Sequence, residues 1–133
     1  MKKMRIISGL LTLVAVLFAC QHQVMKMGQY HGVDAESFKI VVRNQNVQVI
    51  DVRTDSEFLK GHIPNAINID INEHNFNDNC RKVLDDHYPV AVYCHSGKRS
   101  HIAAGILVDM GYEVYELEGG VLGWTGAVST GVN

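Results

Sequence analysis

The chain has 133 residues, with 12 lysines and arginines against 14 aspartates and glutamates, and a formal net charge of −2. This length fits one domain of ordinary size, and a hydrophobic content of 47% excludes a disordered chain. Three cysteines are too few for a disulfide-dense scaffold. The mildly acidic balance gives no reason to expect a nucleic-acid partner.

The N-terminal segment has the pattern of an export signal. Lys2, Lys3 and Arg5 precede an uncharged, apolar run at 6–19, which is shorter than the roughly 20 residues that span a bilayer. The run ends in the letters LFAC, an ending that resembles a bacterial lipoprotein signal. We therefore predict a signal peptide over 1–19, lipidation at Cys20 and a short polar tether over 20–28. A plain secretory signal and an uncleaved anchor helix are the alternatives.

Removal of the signal would change the charge of the protein. The signal holds three of the 12 bases and none of the acids, which leaves nine bases against 14 acids and a net charge of −5. A surface of that sign does not adhere to anionic lipid by itself. We therefore expect membrane attachment only through a lipid on Cys20, and a location in the bacterial cell envelope, facing the periplasm or the exterior.

After this segment, short apolar runs alternate with segments of helical periodicity. Asp34 is suited to cap a helix that contains Phe38 and Val41, and the β-branched run at 47–52 is typical of a strand buried on both faces. Strands are predicted at 29–33, 47–52, 66–69, 90–94 and 112–117, and helices at 35–43, 55–60, 72–86 and 100–110, with 119–124 leading into a short terminal helix. Helices between apolar strands indicate an α/β domain with a parallel sheet covered on both faces.

The segment between the fourth predicted strand and the next helix carries the candidate chemistry. Cys94 ends the strand, at the edge where open α/β sheets bind ligands. The helix offers free backbone N–H groups, and Gly97 lets the loop curl into an anion nest. With the charges of Lys98 and Arg99, these groups favour a thiolate at Cys94. The residues predicted to line a cradle for a small anionic substrate such as thiosulfate are His95, Ser96, Gly97, Lys98, Arg99 and Ser100.

Other readings of these residues are weaker. A buried, inert core cysteine is the alternative for Cys94, but it leaves the glycine and the cations of the loop without a role. We expect His95 to point outward rather than act as a general base, because a thiolate stabilised by the loop needs none. We expect Cys80 to be buried and inert, the alternative being a disulfide with an oxidised Cys94. His62 has no partner ligand at helical spacing, and no metal site is predicted.

Four segments stand in order along the chain. They are VIDVR at 49–53 with EF at 57–58, GHIPNAIN at 61–68, CHSGKRS at 94–100, and LEGGVLGW at 117–124. Together these segments resemble those of single-domain rhodaneses, which are sulfurtransferases. The resemblance implies a rhodanese-like domain over 29–133 with a central five-stranded parallel sheet. It implies that Cys94 accepts a sulfane sulfur as a persulfide from an anionic donor and passes it to a thiol or to cyanide, with no cofactor.

Two further positions of the family pattern bear on structure. Asn65 stands where the family usually has glycine, and asparagine tolerates the left-handed backbone. Asp51 and Arg53 form the family's Asp-x-Arg. We favour a structural role for both, in which Asp51 orients nearby loops or pairs with a cation and Arg53 pairs with Glu57 across one helical turn, over a role of Asp51 as a catalytic base.

Two other functions use a similar loop. Phosphatases and arsenate reductases also hold a cysteine thiolate in an anion loop closed by arginine, but cysteine phosphatases have five residues between the two. Here four residues separate Cys94 from Arg99, and the smaller ring suits a single sulfur atom. The other alternative is a persulfide carrier that serves a partner protein without turnover of its own.

The first prediction concerns membrane attachment. If Cys20 is lipidated, the chain should partition with membranes in its native cells, and Cys20→Ser should stop signal processing. Fractionation and mass spectrometry of the N-terminal peptide check both results. Recovery of a soluble chain that begins with an unmodified Cys20 would contradict this prediction.

Overall fold

The computed structural model describes residues 26–132, so the predicted signal peptide at 1–19 and the lipidation site at Cys20 lie outside the described residues. The described chain forms a five-stranded parallel sheet in the order β1-β5-β4-β2-β3. The strands are β1 (Gln29–Val33), β2 (Gln48–Asp51), β3 (Ile67–Asn68), β4 (Val90–Tyr93) and β5 (Glu113–Leu117). The helices are α1 (Ala35–Val42), α2 (Asp55–Lys60), α3 (Phe76–Val83) and α4 (Lys98–Asp109), followed by a 3₁₀ helix at Gly120–Gly123.

The central strand β4 has one core on each side of the sheet. Because side chains alternate along a strand, Val90 and Val92 pack into one cluster with residues of α3 and α4. Ala91 and Tyr93 pack into the other, with residues of α1 and α2. All four residues of β4 are buried, as expected for a parallel strand covered on both faces. The predicted α/β architecture, a five-stranded parallel sheet with helices on both faces, is confirmed.

Several element boundaries differ from the sequence prediction. The strand predicted at 66–69 is a two-residue edge strand, and its Ile67 is exposed. The helix predicted at 72–86 forms only over Phe76–Val83, because the asparagine-rich turn before it favours local side-chain hydrogen bonds over helix. The helix predicted from residue 100 begins at Lys98, directly after Gly97. The segment predicted to lead into a terminal helix is itself a 3₁₀ turn at Gly120–Gly123, and no helix follows it up to residue 132.

Local sequence signals explain where two helices begin and how the chain turns at Asn65. The side chain of Asp34 accepts a hydrogen bond from the Ser37 N–H at 2.8 Å and caps α1 as predicted. A capping box between Thr54 and Glu57 begins α2. Asn65 has a φ of 65° and is the one non-glycine residue with positive φ between residues 26 and 132, in agreement with its expected left-handed turn.

The segment before β1 lies against the end of α4. Gly28 stands so close to the carbonyl of Val108 that a Cβ would overlap it, and the Lys26 Nζ donates to the Asp86 carbonyl at 2.6 Å.

Among the described residues, no helix is long and apolar enough to cross a membrane.

Tyr93 links the central strand to the turn before β3. Its buried hydroxyl accepts a hydrogen bond from the Ile63 N–H at 3.0 Å. We expect Tyr93→Phe to lower the free energy of unfolding by about 1–3 kcal/mol, because it leaves a buried N–H without an acceptor. Urea unfolding measures this loss, with Tyr88→Phe at an exposed tyrosine as the matched control. Equal stability of the two variants would show that the hydroxyl contributes nothing.

Candidate active site

The candidate site lies where β4 ends, at the carboxyl edge of the sheet. Cys94 directly follows the strand, and the loop from it runs through Gly97 into the first turn of α4. Gly97 has a φ of 101° and serves as the N-cap of α4, a left-handed conformation that favours glycine. The loop therefore turns back over the sulfur and directs the free N–H groups of the helix start toward it.

The Cys94 sulfur is held by hydrogen-bonding groups of its own loop. The Gly97 N–H donates to Sγ at 3.1 Å, and Ser100 Oγ lies 3.4 Å from Sγ. Burial of the residue, which is 1% exposed, opposes ionisation. The hydrogen bond between the thiol and the Ser100 side chain, with those from the backbone N–H groups of Ser100, Gly97 and Arg99, outweighs burial and lowers the pKa of the Cys94 thiol below its ordinary value.

The two cations of the loop have a different arrangement from the one expected. Arg99 forms a bidentate ion pair with Glu57 of α2, with both N–O distances 2.8 Å. The hydrogen bonds from Arg99 also lower the pKa of Glu57 to about 2. The guanidinium charge is therefore largely compensated, while the neighbouring Lys98 is exposed. Backbone dipoles and a hydroxyl, rather than two free cations, are the groups in contact with the sulfur.

The predicted pair between Arg53 and Glu57 is wrong. Arg53 instead binds Asp51, with Nη2 2.7 Å from Oδ2, and donates to the Gly61 carbonyl at 2.6 Å. Asp51 is fully buried. Burial acts to lower the pKa of Arg53, and the hydrogen bond and charge of Asp51 overcome this and raise it. The pair fastens the end of β2 to the end of α2.

The 3₁₀ helix supports the loop from outside. The Val121 N–H donates to the Cys94 carbonyl at 3.0 Å, and the Leu122 N–H donates to the His95 carbonyl at 3.3 Å. Gly120, with a φ of 63°, is so close to the His95 carbonyl that a Cβ would overlap it. The carbonyls of Cys94 and His95 are therefore turned toward the 3₁₀ helix, while the N–H of Gly97 points to the sulfur.

A buried glutamate was not found by the sequence analysis. Glu116 of β5 is 2% exposed and accepts a hydrogen bond from the Ser100 hydroxyl at 2.9 Å. The Tyr30 hydroxyl donates to its other oxygen at 2.6 Å, and His101 Nδ1 lies 3.1 Å from that oxygen. A signal existed, because an acidic residue among apolar ones in a predicted buried strand needs polar partners.

The other singled-out residues lie away from the sulfur's hydrogen bonds. His95 and Ser96 are exposed. Cys80 is fully buried, and burial raises the pKa of its thiol to about 11; both described cysteines are free. Within residues 26–132, the side chains that could together hold a metal ion are Asp85, Asp86 and His87. All three are exposed, and the imidazole already binds both carboxylates at 2.8 and 3.0 Å.

Comparison with known proteins agrees with this arrangement. A family model for the rhodanese-like domain matches residues 34–127. The chain belongs to the rhodanese-like family. A solved rhodanese-like domain protein from Staphylococcus aureus is 26% identical with a TM-score of 0.66, over 77% of this chain and 99% of that chain. A structure described as a rhodanese with anions, from E. coli, is 32% identical with a TM-score of 0.53, over 64% and 99% respectively.

Curated relatives with a different name also match this rhodanese-like chain. The tRNA uridine(34) hydroxylase of Chlamydia abortus is 30% identical over 122 residues. The match covers 87% of this chain and 37% of that protein. The chain thus spans little more than a third of the length of the hydroxylase that it resembles.

The contact between Gly120 and the loop gives a test of how the cradle is supported. We expect Gly120→Ala to displace the His95 carbonyl, to lower the free energy of unfolding by about 1–3 kcal/mol because of the strained backbone, and to slow alkylation of Cys94 at neutral pH. Gly123→Ala is the control, because a Cβ there meets no atom within 4 Å. Unchanged stability and alkylation in Gly120→Ala would contradict the proposed support.

Proposed function

We propose that this rhodanese-like protein is a sulfurtransferase that moves a sulfane sulfur from thiosulfate, or a related anionic persulfide donor, to a thiophilic acceptor through a persulfide on Cys94. The observation that carries the proposal is the hydrogen-bonded setting of the Cys94 sulfur. The N–H of Gly97 and the hydroxyl of Ser100 lie within 3.1 and 3.4 Å of it. Donation from the Gly97 N–H, and from the Ser100 hydroxyl when its proton is turned to the sulfur, favours a charged sulfur in a nearly fully buried residue.

The reaction divides into two displacements on sulfur. In the first, the Cys94 thiolate attacks the outer sulfur of thiosulfate, a new S–S bond forms, and sulfite leaves with the electron pair of the old one. In the second, cyanide or a thiolate attacks the outer sulfur of the persulfide, and Cys94 leaves as a thiolate again. The N–H groups that stabilise the thiolate are suited to the persulfide anion as well, because both carry one negative charge on sulfur.

The contacts of the site favour sulfur transfer over phosphate chemistry. A phosphatase of this type uses its loop arginine to bind the oxyanion, but Arg99 is occupied by Glu57 in a bidentate ion pair. The loop with four residues between Cys94 and Arg99 is also the smaller ring that suits one sulfur atom. A persulfide carrier for a partner protein uses the same first step and differs only in its acceptor.

The relatives' name offers a second candidate, a part in the hydroxylation of a tRNA uridine. It rests on a match to 37% of that protein. The net charge of −5 after signal removal argues against binding a polyanion, because phosphate contacts need clustered lysine and arginine. We therefore favour a small anionic donor as substrate. With Cys20 lipidated, the reaction would take place in the cell envelope.

The central prediction is that Cys94 carries the transferred sulfur. Thiosulfate should add one sulfur atom to the peptide that contains Cys94, and cyanide should remove it as thiocyanate, with ping-pong kinetics. Mass spectrometry of the digested protein and a thiocyanate assay measure the two steps.

The cysteines provide matched variants for this experiment. Cys94→Ser should abolish both steps. Cys80→Ser should leave them in place, because that thiol is fully buried with its pKa raised to about 11. Sulfur found only on Cys80, or thiosulfate turnover by Cys94→Ser, would refute the mechanism.

A further inference from the structure

The hydroxyl of Ser100 has one proton and three acceptors within reach. The Cys94 sulfur lies 3.4 Å from Oγ, the Gly97 carbonyl 3.2 Å and the Glu116 carboxylate 2.9 Å. A hydroxyl donates one hydrogen bond at a time, and a charged acceptor at short distance is the strongest of the three. When Ser100 donates to Glu116, it offers only a lone pair to the sulfur. That arrangement suits a thiol, whereas a thiolate needs the proton.

The carboxylate of Glu116 lacks a strong cationic partner. It is 2% exposed, and among residues 26–132 no lysine or arginine pairs with it. Its second oxygen binds the Tyr30 hydroxyl at 2.6 Å and His101 Nδ1 at 3.1 Å. Burial, together with the hydrogen bond to Glu116, raises the pKa of Tyr30 to about 12, so this hydroxyl remains a donor. A buried carboxylate without a cationic partner binds its hydrogen-bond donors strongly, because the loss of a donor leaves the charge unsatisfied.

We propose that Glu116 competes with Cys94 for the single hydroxyl proton of Ser100 and thereby keeps the Cys94 sulfur more basic than the loop alone would make it. Glu116 is then a positioning residue that acts through Ser100. Its buried negative charge adds to the effect, because a second anion nearby opposes formation of the thiolate.

The consequence for sulfur transfer rests on the proposed function. A more basic thiolate is the better nucleophile, with a Brønsted coefficient of about 0.4–0.5, and the poorer leaving group. Cys94 is the nucleophile when the donor is attacked and the leaving group when the persulfide is discharged. Glu116 therefore favours loading of sulfur and slows its release, which prolongs the life of the persulfide until an acceptor arrives.

Other titratable groups face the Glu116 carboxylate, and the experiment has to account for them. Tyr30 belongs to β1 and His101 to α4, and both bind it directly. Glu118, after β5, acts on the Tyr30 hydroxyl through its charge. It lines the same surface depression as Lys98, Tyr30 and His101. Glu118 has no hydrogen bond to Ser100, so Glu118→Gln removes a nearby negative charge and leaves the three acceptors of the Ser100 hydroxyl in place.

The test is the pH dependence of Cys94 alkylation by iodoacetamide in the full-length chain, followed on the Cys94 peptide by mass spectrometry. In the Glu116→Gln variant, the neutral amide oxygen still accepts a hydrogen bond from the Ser100 hydroxyl, but more weakly than a carboxylate does. We expect Glu116→Gln to move the alkylation midpoint to lower pH by roughly one unit. The limiting rate at high pH should fall about threefold, as the Brønsted coefficient requires for that shift. Discharge of a preformed persulfide by cyanide should become faster.

Two further variants separate positioning from general disturbance. Glu118→Gln should leave the midpoint near the wild-type value. In a Ser100→Ala background, Glu116→Gln should shift the midpoint by clearly less than in the wild-type background, because the hydroxyl that couples the two groups is gone. An equal shift in both backgrounds would assign the effect to charge alone and overturn the competition.

The remaining outcomes are also decisive. A midpoint that is unchanged or higher in a folded Glu116→Gln chain overturns the proposal. Should that variant fail to fold, Tyr30→Phe replaces it. The Glu116 carboxylate then loses the Tyr30 donor and binds the Ser100 hydroxyl more strongly. The midpoint of Cys94 alkylation should therefore move to higher pH, and a move to lower pH would overturn the proposal. If the alkylation profile shifts as expected but thiosulfate never loads Cys94, the sulfurtransferase function fails and the role of Glu116 stands.

Discussion

The constraint on which this structure depends is the placement of an ionisable sulfur in a residue that is 1% exposed. An isolated buried anion is costly, and here backbone N–H groups at the start of α4 offset the cost. They are free because a helix start has no intrahelical partners for them. Their direction is set by the left-handed Gly97 and by the 3₁₀ helix, whose N–H groups bind the carbonyls of Cys94 and His95. The sheet, the loop and the 3₁₀ helix thus act together to position the Cys94 sulfur.

The sequence predicted the fold well because its signals are local and agree with one another. The β-branched run before Asp51, the cap at Asp34 and the loop after Cys94 each specify one element, and alternation of strand and helix specifies the parallel sheet. Element ends were less accurate, since they depend on packing. The strand at 66–69 shrinks to two residues at the sheet edge, where it has a neighbour on one side only.

The site was only partly predictable, and the missing part is long-range. The pairing of Arg99 with Glu57 joins residues 42 positions apart, and that of Tyr30 with Glu116 joins residues 86 apart. Spacing along a helix suggested Arg53 as the partner of Glu57, yet the folded chain gives Arg53 a fully buried partner, Asp51. The loop could be recognised in the sequence because its residues are consecutive. Which charges are paired depends instead on which strands become neighbours in the fold. The hydrogen-bond partners of Glu116 are decided in this second way.

The packing of the 3₁₀ helix against the loop also decides which backbone groups face the sulfur. The carbonyls of Cys94 and His95 accept hydrogen bonds from Val121 and Leu122, and Gly120 lies close against the His95 carbonyl. The 3₁₀ helix therefore holds these two carbonyls, while the Gly97 N–H is left to bind the sulfur. The polarity of the loop around the sulfur is in this sense set when the chain folds, independent of any side-chain motion during turnover.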